Sequence, residues 1–144
     1  MTYSNEAKSE LLGVAPEIIA AHGAVSAETA AAMAQGAVAR APVELAISVT
    51  GIAGPGGATP TKPVGLIILG MARRDGRCRT ERRVFPGDRS AIRQAALQRA
   101  LELLDAEALL ELGRPLRRPE EPLGLEPVVA KPGGHHSRAP LRQM

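Results

Sequence analysis

The feature that most limits the possible folds is the apolar run at residues 64–72, which contains no charged or polar side chain. This run is typical of a β-strand, and it is far shorter than the roughly 20 residues that a membrane-spanning helix needs. The dipeptide Asp75-Gly76 follows it and is typical of primed hairpin turns. Residues 77–85 are therefore predicted to return antiparallel as an edge strand. The arginines of this hairpin are predicted to be solvated and to protect the edge from pairing; they are Arg73, Arg74, Arg77, Arg79, Arg82 and Arg83.

Helical patterns lie on both sides of this hairpin. The predicted elements are helices at 5–12, 17–22, from Ser26 to Pro42 and from Asp88 or Ser90 to 112, with a further strand at 44–50. Either Ser4 or Asn5 can cap the first helix. The strand at 44–50 is nearly all apolar, which suits a strand that is covered on both faces. This interleaving predicts an α/β fold, a layered α/β/α sandwich with a mixed sheet.

Composition divides the chain into two parts and narrows its partners. Residues 1–112 are predicted to form one domain, and residues 113–144, which contain six prolines, are predicted to be a disordered Pro/Arg-rich tail. The net charge of +3 is small, and one Phe and one Tyr cannot build a stacking platform, so we expect no nucleic-acid partner. The single cysteine, Cys78, and an N-terminus without signal-peptide layout predict a cytoplasmic protein with no membrane partner. The pair His135-His136 has no other metal ligands at suitable spacing, so no metal site is expected.

The segment at 48–60 carries the strongest functional signal. Its glycines permit positive φ and close approach of the backbone to a ligand, and successive N–H groups in such loops can bind an anion. The segment is neither a dinucleotide-binding fingerprint nor a P-loop, because Lys62 lacks the Gly before it and the Ser or Thr after it. Composition alone leaves open an ordinary connection between two strands.

Three collinear segments carry a resemblance to a known family. The loop resembles the signature loop of the CinA C-terminal domain family through Thr50-Gly51-Ile52-Ala53-Gly54-Pro55-Gly56-Gly57, followed by Thr59-Pro60 and Lys62-Pro63-Val64-Gly65. Residues 2–8 with 11–14 resemble the family's tyrosine-lysine segment, and 22–26 with 33–37 resemble the stretch after it. The resemblance runs from Thr2 to about Leu104, and on it the chain is identified as a member of this family.

The resemblance implies a reaction. Members hydrolyse the amide of nicotinamide mononucleotide to nicotinic acid mononucleotide and ammonia, with a serine nucleophile helped by a lysine and a tyrosine. The match makes Tyr3 and Lys8 the catalytic counterparts and the loop from Thr50 to Gly57 the substrate-binding segment. The helix dipole would lower the pKa of Lys8 in the first turn. The residues alone also fit a frayed tyrosine and a solvated lysine. The resemblance implies a homodimer, and no metal or organic cofactor.

The family's serine lies in a segment like Ala-Glu-Ser-Cys-Thr-Gly-Gly, upstream of the tyrosine. None of the serines of this sequence stands in such a motif; they are Ser4, Ser9, Ser26, Ser48, Ser90 and Ser137. We therefore expect the fold to lack the family's first strand and helix, to expose a sheet edge and to be inactive as given, either because the start is assigned too late or because the gene is truncated. The alternatives are an inactive nucleotide-binding or dimerisation module and a decayed fragment that does not fold.

Overall fold

The computed structural model describes residues 4–112, which form four helices and three strands. The elements are α1 (Asn5–Leu12), α2 (Pro16–His22), α3 (Ala27–Arg40), β1 (Leu45–Gly51), β2 (Leu66–Arg73), β3 (Cys78–Val84) and α4 (Arg89–Leu112). Every helix and strand predicted within this range is confirmed, with the bounds of the strands differing by one or two residues. The predicted tail, Tyr3 and the pair His135-His136 lie outside the described residues.

Short polar side chains begin three of the helices. The Ser4 hydroxyl accepts the N–H of Ala7 at 3.0 Å, and Ser26 accepts that of Thr29 at 3.1 Å. At α4 the Asp88 carboxylate accepts the N–H of Ala91 at 2.9 Å. Each bond satisfies a helix N–H that has no partner within the helix. The sequence permitted two alternative caps for α1 and two for α4, and the structure contains Ser4 and Asp88 in these positions.

Cationic side chains from distant positions close the other ends of the first three helices. The guanidinium of Arg40 donates to the Leu12 carbonyl at 2.8 Å, and the ammonium of Lys62 donates to the His22 carbonyl at 3.1 Å. Arg74 donates to the Ala41 carbonyl, just past the end of α3, at 2.7 Å. These cations satisfy carbonyls at the negative end of each helix dipole. They also tie the three helices to other parts of the fold.

The three strands form one sheet in the order β1-β2-β3, and both pairings are antiparallel. Gly70 of β2 lies opposite Ser48 on one side and Thr80 on the other. A mixed sheet was expected, but the described strands contain no parallel pair. Parallel neighbours need a crossover connection, whereas a loop and a tight turn join these strands in succession. The α/β class is confirmed.

Helices cover both faces of the sheet, as the layered prediction required. Alternate side chains of β2 point to opposite faces. Leu66, Ile68 and Ala72 pack on the side of α3, and Ile67, Leu69 and Met71 pack on the side of α4. The contacting side chains are Ala30, Ala34 and Val38 from α3, and Ile92, Ala96, Ala100 and Leu103 from α4. All of β2 is therefore buried, which explains its continuous apolar run.

The expectation of solvated arginines around the hairpin is wrong for Arg73. Its side chain is 7% exposed and donates to the Glu107 carboxylate of α4 at 2.8 Å. Arg79 reaches the same carboxylate from β3 at 2.9 Å. Arg73 ends a strand that is covered on both faces, so its charge needs a buried partner.

Among residues 4–112, no helix combines the length and hydropathy that crossing a bilayer requires.

Candidate functional site

Lys8 is a buried residue of α1. It is 5% exposed, and its ammonium group donates to the Ser4 carbonyl at 3.3 Å. The carbonyl of Lys8 accepts the N–H of Val14, which is 2% exposed, so the turn after α1 folds back over the helix. Lysine is seldom buried because its charge loses hydration. The solvated lysine that the residues alone permitted is thus not what the structure contains.

Burial changes the acid-base properties of this lysine. Loss of hydration lowers the pKa of Lys8 from its ordinary value, and the nearby Glu6 carboxylate acts in the opposite direction. The lowered pKa was predicted from the helix dipole, whereas in the structure its cause is burial. A lowered pKa moves a lysine toward the range in which its neutral amine can accept a proton.

The glycine-rich loop is fixed at its base by backbone hydrogen bonds between β1 and β2. The N–H of Ile52 donates to the Leu66 carbonyl at 2.8 Å, and the N–H of Gly65 donates to the Ile52 carbonyl at 2.7 Å. The Ile52 side chain is 9% exposed and belongs to the core. Gly51 lies within β1. These two predicted site residues therefore hold the base of the loop.

The tip of the loop consists of Ala53, Gly54, Pro55, Gly56 and Gly57. Gly54 and Gly57 have φ of 80° and 91°, a region in which a side chain is strained. A Cβ at Gly54 would also lie 2.6 Å from a methyl carbon of Val64. Within residues 4–112, no acceptor is hydrogen-bonded to the backbone N–H groups of Ala53, Gly54, Gly56 and Gly57. Closely spaced N–H donors of this kind can hold a phosphate or an oxyanion.

Arg89 contacts this tip from the first residue of α4. Its guanidinium donates to the Gly54 carbonyl at 2.9 Å, which fixes the orientation of that peptide. The contact also brings a positive charge to the loop. Arg89 was not predicted from the sequence, because the 35 positions between Arg89 and Gly54 leave no periodic signal. A basic residue directly after the cap of a helix, where the dipole is unfavourable to a cation, was the available hint.

Two contacts join the loop region to the helices that precede it. The Thr50 hydroxyl, on a residue 8% exposed, donates to the Ala24 carbonyl at 2.7 Å. Lys62 bonds the end of α2, as described above. Lys8 is bonded to the cap of α1 and to the turn after it, and the loop region is bonded to β2, α4 and the α2–α3 connection. The structure thus describes Lys8 and the loop as two separately supported parts of the predicted site.

Among the described residues, no group of three or more His, Cys, Asp or Glu side chains is placed to hold a metal ion. The one cysteine in this range, Cys78, is exposed as a residue, and partial burial of its thiol raises the pKa. The thiolate is therefore disfavoured, and Cys78 is not activated as a nucleophile.

These features define a class: an α/β/α protein with a buried lysine and a glycine-rich loop of backbone donors at the end of a strand. A family model described as the CinA C-terminal domain matches residues 1–108. The chain belongs to this family.

Individual relatives agree with the family assignment. The chain is 50% identical over 104 residues to a CinA-like protein of Mycolicibacterium gilvum and 54% identical over 104 residues to one of Citrifermentans bemidjiense. Each match covers 72% of this chain and 25% of the relative. The chain thus spans about a quarter of the length of the curated relatives that it matches.

Solved structures give the same result at the level of the fold. The competence/damage inducible protein CihA from Agrobacterium tumefaciens aligns with a TM-score of 0.70 and 45% identity, over 73% of this chain and 64% of that one. The competence damage-inducible protein A from Klebsiella pneumoniae aligns with a TM-score of 0.70 and 35% identity, over 75% and 66%. At these sequence identities the likeness to both proteins is one of family as well as of fold.

Proposed function

We propose that residues 1–112 form part of an amide-hydrolysing site that acts on nicotinamide mononucleotide and releases nicotinic acid mononucleotide and ammonia. The observation that carries the proposal is the burial of Lys8, whose pKa is lowered by that burial. Burial of an ammonium group costs hydration free energy, so this placement favours a chemical role. Tyr3, five positions before Lys8, is the proposed second catalytic group.

Each part of the site has a role in this reaction. The neutral amine of Lys8 accepts the proton of a serine hydroxyl as its oxygen attacks the carboxamide carbon. The proton then passes to the departing amide nitrogen, which leaves as ammonia, and water hydrolyses the resulting ester. The loop from Thr50 to Gly57 binds an anionic part of the nucleotide through its backbone N–H groups, and Arg89 orders the loop. No step requires a metal or organic cofactor.

A second candidate function follows from the serine that this scheme requires. Ser4 and Ser26 cap helices, and Ser48 donates to the Ala30 carbonyl at 2.6 Å in a buried position. These three hydroxyl groups are engaged in structural contacts. This favours, as the alternative, a catalytically inactive module that binds the nucleotide through the loop without hydrolysing it.

The test measures binding and ammonia release separately on the purified chain. Isothermal titration calorimetry with nicotinamide mononucleotide gives the affinity, and a coupled ammonia assay gives turnover. The same measurements are made on a chain extended at its N-terminus by the family's serine segment, which should turn over the nucleotide. In that chain Lys8→Met should abolish turnover, and Lys131→Met is the lysine control that should not. Binding without ammonia release by the extended chain would establish the alternative. The absence of both binding and ammonia release would refute both.

We also propose a cytoplasmic location, supported by the single cysteine and by a substrate that is an intracellular nucleotide. Fractionation of the source cells, followed by detection of the chain, tests this location. We propose no nucleic-acid partner, because residues 4–112 carry equal numbers of basic and acidic side chains. A gel-shift assay at low salt that detects binding to duplex DNA would contradict this expectation.

A further inference from the structure

A cavity of about 350 Å³ lies on the α3 face of the sheet, beside the start of α3. Its apolar part is formed by Leu66 and Ile68 of β2 and by Val25 of the α2–α3 connection. Cavities of this size are at the lower end of those that bind small molecules. Neither Lys8 nor the loop tip at residues 53–57 lines the cavity, so it is separate from the candidate site described above.

Arg82 of β3 borders this cavity. In the antiparallel pairing, Arg82 lies opposite Ile68, which packs on the side of α3. Residues that lie opposite each other on neighbouring strands point to the same face of a sheet, so Arg82 is on the α3 face. The next residue, Arg83, lies opposite Ile67 and is therefore on the α4 face.

Arg82 differs from the other arginines of the hairpin because it has no acidic partner. Each of the others is paired with a carboxylate: Arg73 and Arg79 with Glu107, Arg74 with Glu44, Arg77 with Asp75, and Arg83 with Glu81. Within residues 4–112, no hydrogen bond or ion pair engages the guanidinium of Arg82. A guanidinium whose donors are free, at the border of a cavity, is suited to bind an anionic group of a ligand.

Lys62 supplies a second positive charge at the cavity. Its ammonium group donates to the His22 carbonyl at 3.1 Å, and no carboxylate of the described residues is paired with it. Glu28 is the one described carboxylate that lines the cavity, and it lies 3.7 Å from Nδ1 of His22. With His22 neutral, Arg82, Lys62 and Glu28 leave a single net positive charge. This charge matches a monoanion, such as a carboxylate, better than a phosphate dianion.

We propose that this cavity binds a small organic monoanion, which is a carboxylate attached to an apolar body about the size of one aromatic ring. The carboxylate binds at Arg82 and Lys62, because a guanidinium donates two parallel hydrogen bonds to such a group. The apolar body packs on Leu66 and Ile68, where it displaces water from apolar surface. This inference does not rest on the proposed function.

Methyl NMR spectroscopy of the full chain with benzoate as the probe tests the proposal. Benzoate should shift the methyl signals of Val25, Leu66 and Ile68 as its concentration rises. The dissociation constant should be roughly 1–10 mM, as expected for a ligand of about ten non-hydrogen atoms. The methyl signals of Ile67 and Leu69 should not shift, because these side chains lie on the other face of the same strand.

Two pairs of variants locate the binding site. Arg82→Gln should weaken benzoate binding at least tenfold, whereas Arg83→Gln, the same change on the other face, should not affect it. Ala27→Trp should also weaken binding at least tenfold, because Ala27 is exposed and lines the cavity, which the larger side chain would fill. Ala106→Trp is its control, since Ala106 is an exposed alanine of α4. Circular dichroism confirms that each variant folds.

The wild type alone tests both halves of the proposed ligand. Benzyl alcohol has the ring without the charge, and acetate and inorganic phosphate have the charge without the ring. Each should bind at least tenfold more weakly than benzoate. Equal binding of any of them would overturn the proposal, because one half of the ligand would then contribute nothing. The absence of shifts at about 50 mM benzoate, shifts centred on residues 53–57, or unchanged affinity of Arg82→Gln would overturn it as well.

Discussion

Replacing Gly70 by alanine is the sharpest test of how closely α3 packs on the sheet. A Cβ added to Gly70 would lie 2.5 Å from the carbonyl carbon of Ala30, closer still to the carbonyl oxygen, and 2.7 Å from the hydroxyl oxygen of Ser48. Ala30 is part of the α3 backbone and fully buried, so the new methyl group can be accommodated only if α3 moves away. Gly70 does not have positive φ, and the expected effect is therefore purely steric.

The magnitude follows from two contributions. Inserting a methyl group into a packed core costs about 1–3 kcal/mol. Displacing the Ala30 carbonyl also removes its 2.6 Å hydrogen bond from Ser48, which contributes about 1 kcal/mol. Together these give a loss of about 2–4 kcal/mol. At roughly 4–5 °C per kcal/mol for a domain of this size, the melting temperature should fall by about 8–20 °C.

Thermal unfolding followed by circular dichroism measures this effect. Gly56→Ala is the matched control, since no atom lies within 4 Å of its added Cβ and its φ is not positive; its melting temperature should stay within about 2 °C of wild type. Ser48→Ala removes the hydrogen bond alone. Because both substitutions affect the Ala30 carbonyl, the double variant should lose less stability than the sum of the two. A melting temperature for Gly70→Ala close to wild type would refute the packing described for α3.

Three further predictions concern charged groups. Lys8→Met should raise the melting temperature at neutral pH, because it removes a buried charge. The pKa of Lys8 is lower in the folded state, so the folded wild type gives up this proton before the unfolded chain does as pH rises toward 10.5. The difference in melting temperature between the wild type and Lys8→Met should therefore shrink over that range. Arg89→Ala should weaken binding of nicotinamide mononucleotide about tenfold by calorimetry, as expected for loss of a charge-assisted contact, whereas Arg93→Ala should have no effect. Hydrogen bonds from Arg99 lower the pKa of Glu81 to about 2, so the stability that this carboxylate contributes is full above about pH 5 and is lost as pH falls to about 2. Glu81→Gln should flatten the curve of stability against pH in that window, and an unchanged curve would contradict this assignment.

The sequence predicted the elements well, because their limits are set by local chemistry. Ser26 and Pro42 bound α3, and both act within one turn of the helix. The hairpin between β2 and β3 is equally local: Gly76 has φ of 93°, and the Asp75 carboxylate accepts the N–H of Arg77. Alternation divides the side chains of β2 between two faces, but it does not say which helix covers which face.

The long-range contacts could not be predicted. The partners of the contacts from Arg40, Lys62 and Arg74 to carbonyl groups are 28 to 40 positions apart, and a guanidinium near a helix end leaves no periodic signal. The burial of Arg73 was missed because an arginine at the end of an apolar run also fits a solvated strand end. The burial of Lys8 was missed because α1 has charged residues at alternate positions, Glu6, Lys8 and Glu10, which do not reveal its buried face.

The two parts of the candidate site share one support, which is α3. α1 rests on it: the Leu12 carbonyl lies so close to Gly36 that a Cβ there would clash, and Arg40 bonds the same carbonyl. The loop region reaches the start of α3 through the bond from Thr50 to Ala24. A displacement of α3 from the sheet would therefore move Lys8 relative to the loop, because the loop is bonded to β2. Gly70, which contacts no part of the site, thus sets the spacing on which the proposed chemistry depends.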